Sequence, residues 1–293
     1  MWIDAHLLAG VVSGAVTAML LHPLDTVKVK LQVADGIVNA NKFPSVSGAV
    51  RDIWSNEGAR GFYRGISPAL FGAGAAWGLY FFFYESAKRR LSGERFEKLT
   101  PLAHAYAAWE SGTAVVFLTN PVWLVKTRMQ VEGSKGVGGA APYSSVSGAF
   151  REIVRTDGFT GLYRGLVPAL CLTAHGVVQF TVYEALKEAT PGADGTRLFT
   201  FGLMSKVLAA ILTYPYQVAK ARLQQRFAGV PEYNGLFDCA KKIYHREGTR
   251  GFYKGFVANL LRVAPQSAVT LVIYETVLSY LRNDTPMMPV TAK

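Results

Sequence analysis

Long apolar stretches alternate with short polar segments along the chain, on a scale set by whole helices rather than by single turns. The stretch from Trp2 to His22, 21 residues long, holds Leu7-Leu8-Ala9-Gly10-Val11-Val12 and Ala18-Met19-Leu20-Leu21 among small and polar residues. At about 1.5 Å per residue it reaches across a hydrocarbon core of roughly 30 Å. Comparable stretches run over 68–84, 102–120, 168–183, 198–214 and 258–280. Between successive pairs lie 45–54, 145–154 and 235–244, with apolar residues at helical spacing and charges elsewhere, which predict short helices lying on a membrane surface. The pattern therefore predicts an all-α membrane protein of six spanning helices. A soluble helical protein with buried core helices shares the periodicity, but Leu79-Tyr-Phe-Phe-Phe-Tyr84 suits a membrane interface better than a soluble helix.

Three motifs recur in the same order and turn this pattern into a repeat. The first is Pro23-Leu-Asp-Thr-Val-Lys28-Val-Lys30-Leu-Gln32, Pro121-Val-Trp-Leu-Val-Lys126-Thr-Arg128-Met-Gln130 and Pro215-Tyr-Gln-Val-Ala-Lys220-Ala-Arg222-Leu-Gln224, whose prolines stand 98 and 94 residues apart (23 to 121, 121 to 215). The second is Gly61-Phe-Tyr-Arg-Gly65, Gly161-Leu-Tyr-Arg-Gly165 and Gly251-Phe-Tyr-Lys-Gly255, each preceded by an acidic residue and a glycine (Glu57-Gly58, Asp157-Gly158, Glu247-Gly248). The third is Tyr84-Glu85, Tyr183-Glu184 and Tyr274-Glu275. One unit is span, surface helix, span, and the chain divides into repeats over 1–98, 99–193 and 194–283 with a short disordered tail at 284–293. An even number of spans puts both chain ends on one side and the surface helices on the other.

Charge and composition narrow the function. A net charge of +11 invites nucleic acid, but no groove-reading module or stacking sheet accompanies it; basic loops facing anionic headgroups and a cationic cavity that steers an anionic solute both fit better. Cys171 and Cys239 make no disulfide framework, and no secretory signal pattern precedes the first span. Nor does any catalytic triad, metal-ligand cluster or phosphate loop appear, and His6, His22, His104, His175 and His245 are dispersed, so an enzyme is not expected.

Asp25 and Lys28, just after a proline that bends the helix, share one helix face. Three such helices around a pseudo-threefold axis bring these charges together at one end, where acid on one helix can pair with base on the next. The Tyr-Glu motif, with Glu85 and Lys88, then Glu184 and Lys187, supplies a second ring at the other end. Contacts within a single helix are the alternative for each pair. Two opposed gates make alternating access possible.

These residues resemble the mitochondrial carrier family over essentially the full length. The resemblance implies six transmembrane helices, three matrix-side surface helices and a monomer with a central solute site. It implies that the first-motif ring closes the matrix side, braced by Gln32, Gln130 and Gln224, and that the Tyr-Glu ring closes the cytoplasmic side. It also implies cardiolipin contacts at Arg64, Gly65, Arg164, Gly165, Lys254 and Gly255. Trp123 and Gln217 stand where the family has acids, leaving Asp25 with Lys126 as the intact matrix pair and Lys28 and Lys220 without partners. Leu278 replaces a basic residue, so Glu85 with Lys187 and Glu275 with Lys88 remain on the other side, and Glu184 is left over.

Candidate solute contacts follow. Glu110 and Lys206 lie well inside spans, where ionisable groups face a cavity or each other, and either a structural ion pair or a solute contact is open. Family alignment puts the main even-helix contacts at Gly72, at Cys171 or Leu172, and at Arg262, whose guanidinium suits carboxylate or phosphate while Gly72 leaves room for a bulky ligand. One turn deeper, Trp77, His175, Gln179 and Gln266 form a set able to stack a flat ring, although Trp77 alone would equally pack between helices. The segments from Gly72 to Tyr84, Thr119 to Arg128, His175 to Phe180 and Thr213 to Gln217 are similar to the folate/FAD carrier branch. That similarity implies an anionic ring-bearing solute, folate or FAD, with NAD or a pyrimidine nucleotide as the alternative, and an inner mitochondrial membrane or plastid envelope location.

Overall fold

The computed structural model describes residues 2–34, 45–92, 100–132, 143–192, 194–225 and 233–283, and these are helical throughout apart from short turns. The first repeat comprises α1 (Trp2–Val33), α2 (Val46–Phe62) and α3 (Ile66–Ser92). The second comprises α4 (Pro101–Glu132), α5 (Val146–Gly161), and a last span in two pieces, α6 (Leu166–Cys171) and α7 (Ala174–Glu188). The third comprises α8 (Gly195–Gln224), α9 (Leu236–Glu247), a 3-10 turn at Thr249–Tyr253, and α10 (Phe256–Asn283). The predicted tail at 284–293 lies outside the described residues.

Each first-motif proline sits inside a helix, Pro23 in α1, Pro121 in α4 and Pro215 in α8. A proline there removes one backbone hydrogen bond and crowds the carbonyl four residues back, so the helix bends without ending. The surface helices run further than the periodicity indicated, because α2 and α5 carry on through the acidic-glycine pair, with Gly58 at φ 63° and Gly158 at φ 70° making the bend. Ser45 and Ser145 start them by accepting from the amides of Gly48 and Gly148.

The protein-buried core is concentrated where the surface helices pack on the proline ends of α1, α4 and α8. Val27 and Leu31 meet Ala49, Ile53 and Ala258; Leu124 and Val125 meet Ala149, Ile153 and Leu162; Tyr214, Val218 and Leu223 meet Cys239 and Ile243. Elsewhere the helices present apolar residues outward, among them Val11, Phe71, Phe82, Phe180, Phe199 and Leu212. Five helical segments are long and apolar enough to cross a membrane by length and composition. The sixth long helix, α4, matches α1 at 32 residues but carries His104, Glu110 and Ser111 in its first half.

The repeat geometry also explains a stability requirement at the surface. Arg222, 1% exposed in its side chain, bonds Glu247 at 2.6 and 2.9 Å, and Lys254 reaches the same carboxylate at 2.7 Å. Burial opposes ionisation of Glu247, but the hydrogen bonds from Arg222 and Lys254 outweigh it and hold its pKa below the usual carboxylate value. A folded pKa below the unfolded one stabilises at pH above about 4.3, and that contribution is lost as pH falls through the folded value. Glu247→Gln should therefore lower the unfolding temperature at pH 7 and flatten its decline between pH 5 and 3, read by thermal unfolding in detergent.

Candidate functional site

At their proline ends the three first helices of the repeats are tied pairwise. Lys126 Nζ of α4 bonds Asp25 Oδ2 of α1 at 2.6 Å, and Gln130 Nε2 donates to the same oxygen at 3.1 Å and to Thr26 Oγ1 at 3.3 Å. Thr127 Oγ1 donates to Gln224 Oε1 of α8 at 3.0 Å, and Arg128 Nε donates to the Gln224 carbonyl at 3.2 Å. Arg222 Nε of α8 closes the circle on the Gln32 carbonyl of α1 at 3.0 Å. Lys28 is not left alone: its ammonium donates to Gln217 Oε1 at 2.9 Å, so the residue in the acidic position still accepts the bond while supplying no charge. Among the described residues Lys220 has no acidic or hydrogen-bonding partner.

A second threefold set went unassigned in the sequence. The second basic residue of each first motif bonds the acid of the acidic-glycine pair: Lys30 with Glu57, Arg128 with Asp157 at 2.7 Å, and Arg222 with Glu247. The basic residue of the aromatic-basic-glycine turn approaches the same acid, Arg64 at 3.1 Å, Arg164 at 3.6 Å and Lys254 at 2.7 Å. Joint recurrence of the two motifs was the available signal. The residue before each proline was also missed, because it differs every time. His22 Nε2 bonds the Arg64 carbonyl at 3.0 Å, Asn120 Nδ2 reaches the Leu162 and Arg164 carbonyls at 2.9 and 3.4 Å, and Tyr214 Oη reaches the Lys254 carbonyl at 3.1 Å.

The turn glycines have a structural duty. Gly65, Gly165 and Gly255 lie at φ 75°, 76° and 79°, and a Cβ on each would stand 3.0, 3.3 and 2.9 Å from the carbonyls of Lys126, Lys220 and Lys28. Each glycine thus lets its repeat press against the next repeat's first lysine.

Above this floor is a central cavity of about 330 Å³ bordered by Asp25, Lys28, Trp123, Lys126, His175 and Lys220, with a side chamber of about 270 Å³ beside it. Leu172 borders both spaces and Cys171 neither, because the span breaks at 172–173 between α6 and α7. Arg262 Nε lies 3.8 Å from Asp25 Oδ1, and its guanidinium reaches Gln266 at 3.4 Å. His175 Nδ1 is 2.9 Å from Thr213 Oγ1. Gln179 is half-buried on α7 and borders neither space. Gly72 is not a floor for ligand: it is buried, and a Cβ there would meet Val122 at 3.1 Å and the Trp123 indole at 3.6 Å, so its vacancy houses Trp123. Trp77 borders neither space, is 64% exposed and stacks on Phe81 at 5.8 Å.

The opposite end is open, and the expected glutamate ring between helices is not formed in this state among the described residues. Glu85 pairs with Lys88 at 2.8 Å and Glu184 with Lys187 at 3.7 Å, each within its own helix, while Glu275 is exposed. In this state the lysine one turn along the same helix takes the place of a partner on the neighbouring helix. What joins helices at this rim is His6 Nδ1 with Tyr274 Oη at 2.6 Å and Tyr84 Oη with His104 Nδ1 at 3.0 Å. Glu110 pairs with Arg90 of α3, not with Lys206, which lies within electrostatic reach of Arg262 instead. Both Glu110 and Arg90 are substantially exposed and solvent screens the pair, so Glu110→Gln should change the unfolding temperature by no more than about a degree or two.

A three-repeat helical bundle with one end sealed, the other open and a cationic cavity between them has the architecture of a membrane solute carrier. The sequence profile described as mitochondrial carrier protein matches residues 2–95, 97–194 and 194–285, and the chain belongs to that family. It is similar to folate transporter 1, chloroplastic, of Arabidopsis thaliana, at 41% identity over 96% of this chain and 97% of that protein. Nicotinamide adenine dinucleotide transporter 1, chloroplastic, of the same plant shares 36% over 95% and 92%. The mitochondrial FAD carrier protein of Saccharomyces cerevisiae shares 34% over 93% and 96%.

Proposed function

We propose that this chain moves an anionic, ring-bearing cofactor, folate or FAD, across the inner mitochondrial membrane by alternating access. The observation that carries the reading is the charge imbalance at the cavity floor. Lys28, Lys126 and Arg262 converge there on Asp25, Lys220 borders the same cavity beside Lys28 and Lys126, and Lys206 adds a further cation within reach of Arg262. Such a site favours a solute that brings the missing negative charge. The relatives named for folate and FAD transport point the same way, and similarity to a dinucleotide transporter keeps NAD as the second reading. No catalytic cofactor is part of this reading; the cofactor is cargo.

In this mechanism the described state receives solute from the open Tyr-Glu side, taken as cytoplasmic. Binding of its anionic groups loosens the hold of Lys126 and Arg262 on Asp25, the proline ends part, and the Tyr-Glu ends come together with Glu85 on Lys187 and Glu275 on Lys88. Trp123→Glu with Gln217→Asp should restore counter-charges to the floor and slow uptake severalfold. An unchanged rate and solute preference in that double variant would defeat the proposed role of the imbalance. The turns at Gly65, Gly165 and Gly255 remain candidate cardiolipin contacts on a monomer, tested by whether added cardiolipin raises the unfolding temperature of delipidated protein.

Uptake into proteoliposomes decides the main question. Folates, FAD, NAD and pyrimidine nucleotides are compared as labelled solutes, and saturable uptake of folate or FAD is expected. Saturable uptake of NAD alone would select the second reading, and no saturable uptake of any would remove the carrier assignment. Localising a tagged protein separates mitochondrion from plastid envelope.

A further inference from the structure

At the open end, two seams between neighbouring helices are bridged by the same pair of side chains. Tyr84 Oη of α3 shares a hydrogen bond of 3.0 Å with His104 Nδ1 of α4, and Tyr274 Oη of α10 shares one of 2.6 Å with His6 Nδ1 of α1. Both tyrosines belong to the Tyr-Glu motif. The histidines also occupy a single repeat position, since each stands 17 residues before its first-motif proline (6 to 23, 104 to 121). Counting 17 back from Pro215 gives Leu198 of α8, which cannot form such a bond. Among the described residues Tyr183 of α7, the third tyrosine of the motif, has no hydrogen-bonding partner.

The place of these bonds along the helix sets them against closure. Successive residues of a helix point about 100° apart, so a tyrosine turned sideways to the neighbouring helix leaves the glutamate after it facing another way. Glu85 is engaged by Lys88, one turn along, at 2.8 Å. The Lys88 ammonium also lies 5.4 Å from the Tyr84 ring centre, and Tyr80 stacks on that ring at 5.8 Å with 7° between the planes. Tyr84 is thus fixed by His104, Lys88 and Tyr80 together. In the closed mouth Glu85 would meet Lys187 and Glu275 would meet Lys88, and both shifts draw a Tyr-Glu turn away from the seam that its tyrosine now bridges.

We propose that His6 and His104 are latches that hold the Tyr-Glu end open through Tyr274 and Tyr84, and that the unlatched seam between α7 and α8 is the edge that moves first when the mouth closes. The inference rests on the alternating access proposed above and deepens it by naming what sets the balance between the two states. A phenol hydroxyl both donates and accepts, so the bridge does not depend on one imidazole tautomer. Water competes for hydrogen bonds at such a rim, so each latch biases the open-to-closed ratio by only about threefold. Two latches on separate seams multiply to about tenfold.

The test reads the width of the mouth in the full chain, reconstituted in lipid vesicles, by pulsed electron paramagnetic resonance. Spin labels are carried on Arg89→Cys of α3 and Glu188→Cys of α7, two exposed positions, with Cys171 and Cys239 replaced by serine. Saturable uptake of folate, FAD and NAD is measured on the same preparations. With both histidines present the long distance should predominate. His6→Leu with His104→Leu, which gives both seams the residue that the third already carries, should raise the ratio of short to long distances about tenfold. Leu198→His added to that pair should return the ratio about threefold toward open. His6→Phe with His104→Phe keeps a flat ring without the hydrogen bond; it should act like the leucine pair and serves if leucine disturbs the packing. Unchanged distances in both histidine-free pairs, or no return from Leu198→His, overturn the latch, while saturable uptake still upholds the carrier. One distance in every variant, with no saturable uptake of any of these solutes, takes down the carrier reading and the latch with it.

Discussion

Asparagine in place of Asp25 should abolish uptake and lower stability more than any other single polar change in the floor. The carboxylate holds Lys126 at 2.6 Å, accepts from Gln130 at 3.1 Å and faces Arg262 at 3.8 Å, with both members of the Lys126 pair largely enclosed at 14% and 16% exposure. The substituted amide would still accept a hydrogen bond, but Lys28, Lys126 and Arg262 would then crowd together without a counter-charge. Removing one partner of a buried pair costs about 3–5 kcal/mol, because the other charge stays enclosed. Thermal unfolding in detergent and uptake in proteoliposomes both read the effect. Wild-type unfolding with normal uptake would mean the pair contributes nothing to closing the floor.

The second large effect is expected from alanine at Gly255. A left-handed backbone costs an L residue about 1–2 kcal/mol, and at φ 79° the new Cβ would also come within 2.9 Å of the Lys28 carbonyl and 3.2 Å of Tyr214 Oη. Neither obstacle is the soft end of a side chain free to swing away. Gly10, in the middle of α1 with nothing within 4 Å of its would-be Cβ, is the control, and Gly10→Ala should be neutral or stabilising by up to about 1 kcal/mol. Equal unfolding temperatures for the two variants would show that the third turn does not press on the first helix.

The parts of this architecture that were legible share one property: they are fixed by spacing along the chain. Proline, first lysine and glutamine recur in register, so the six long helical elements and the nearness of Asp25 to Lys126 follow once the repeats are placed around an axis. Contacts set by the rotation of one helix against another were not legible. Glu110 turns to Arg90 and Gly72 to Trp123, and neither choice leaves a trace in spacing. The glutamate ring depends on which end is open, a property of the conformational state that one sequence encodes twice. His22, Asn120 and Tyr214 escaped for a third reason: three chemically different side chains reach the equivalent carbonyls of Arg64, Arg164 and Lys254, and repeat detection looks for identity. The break at 172–173 was hidden because neither residue is a glycine or proline.

The glycine contacts run in one direction around the bundle, Gly65 to α4, Gly165 to α8 and Gly255 back to α1, and only the last pair lacks a direct connection along the chain. All three seams are therefore the same kind of non-covalent joint, and the peptide links across two of them are incidental to how the joint is made. A circular permutant that joins the old ends through a flexible linker and opens the chain between α3 and α4 should assemble the same barrel. Which repeat is called the first is a matter of where translation starts, and the folded wall has no beginning.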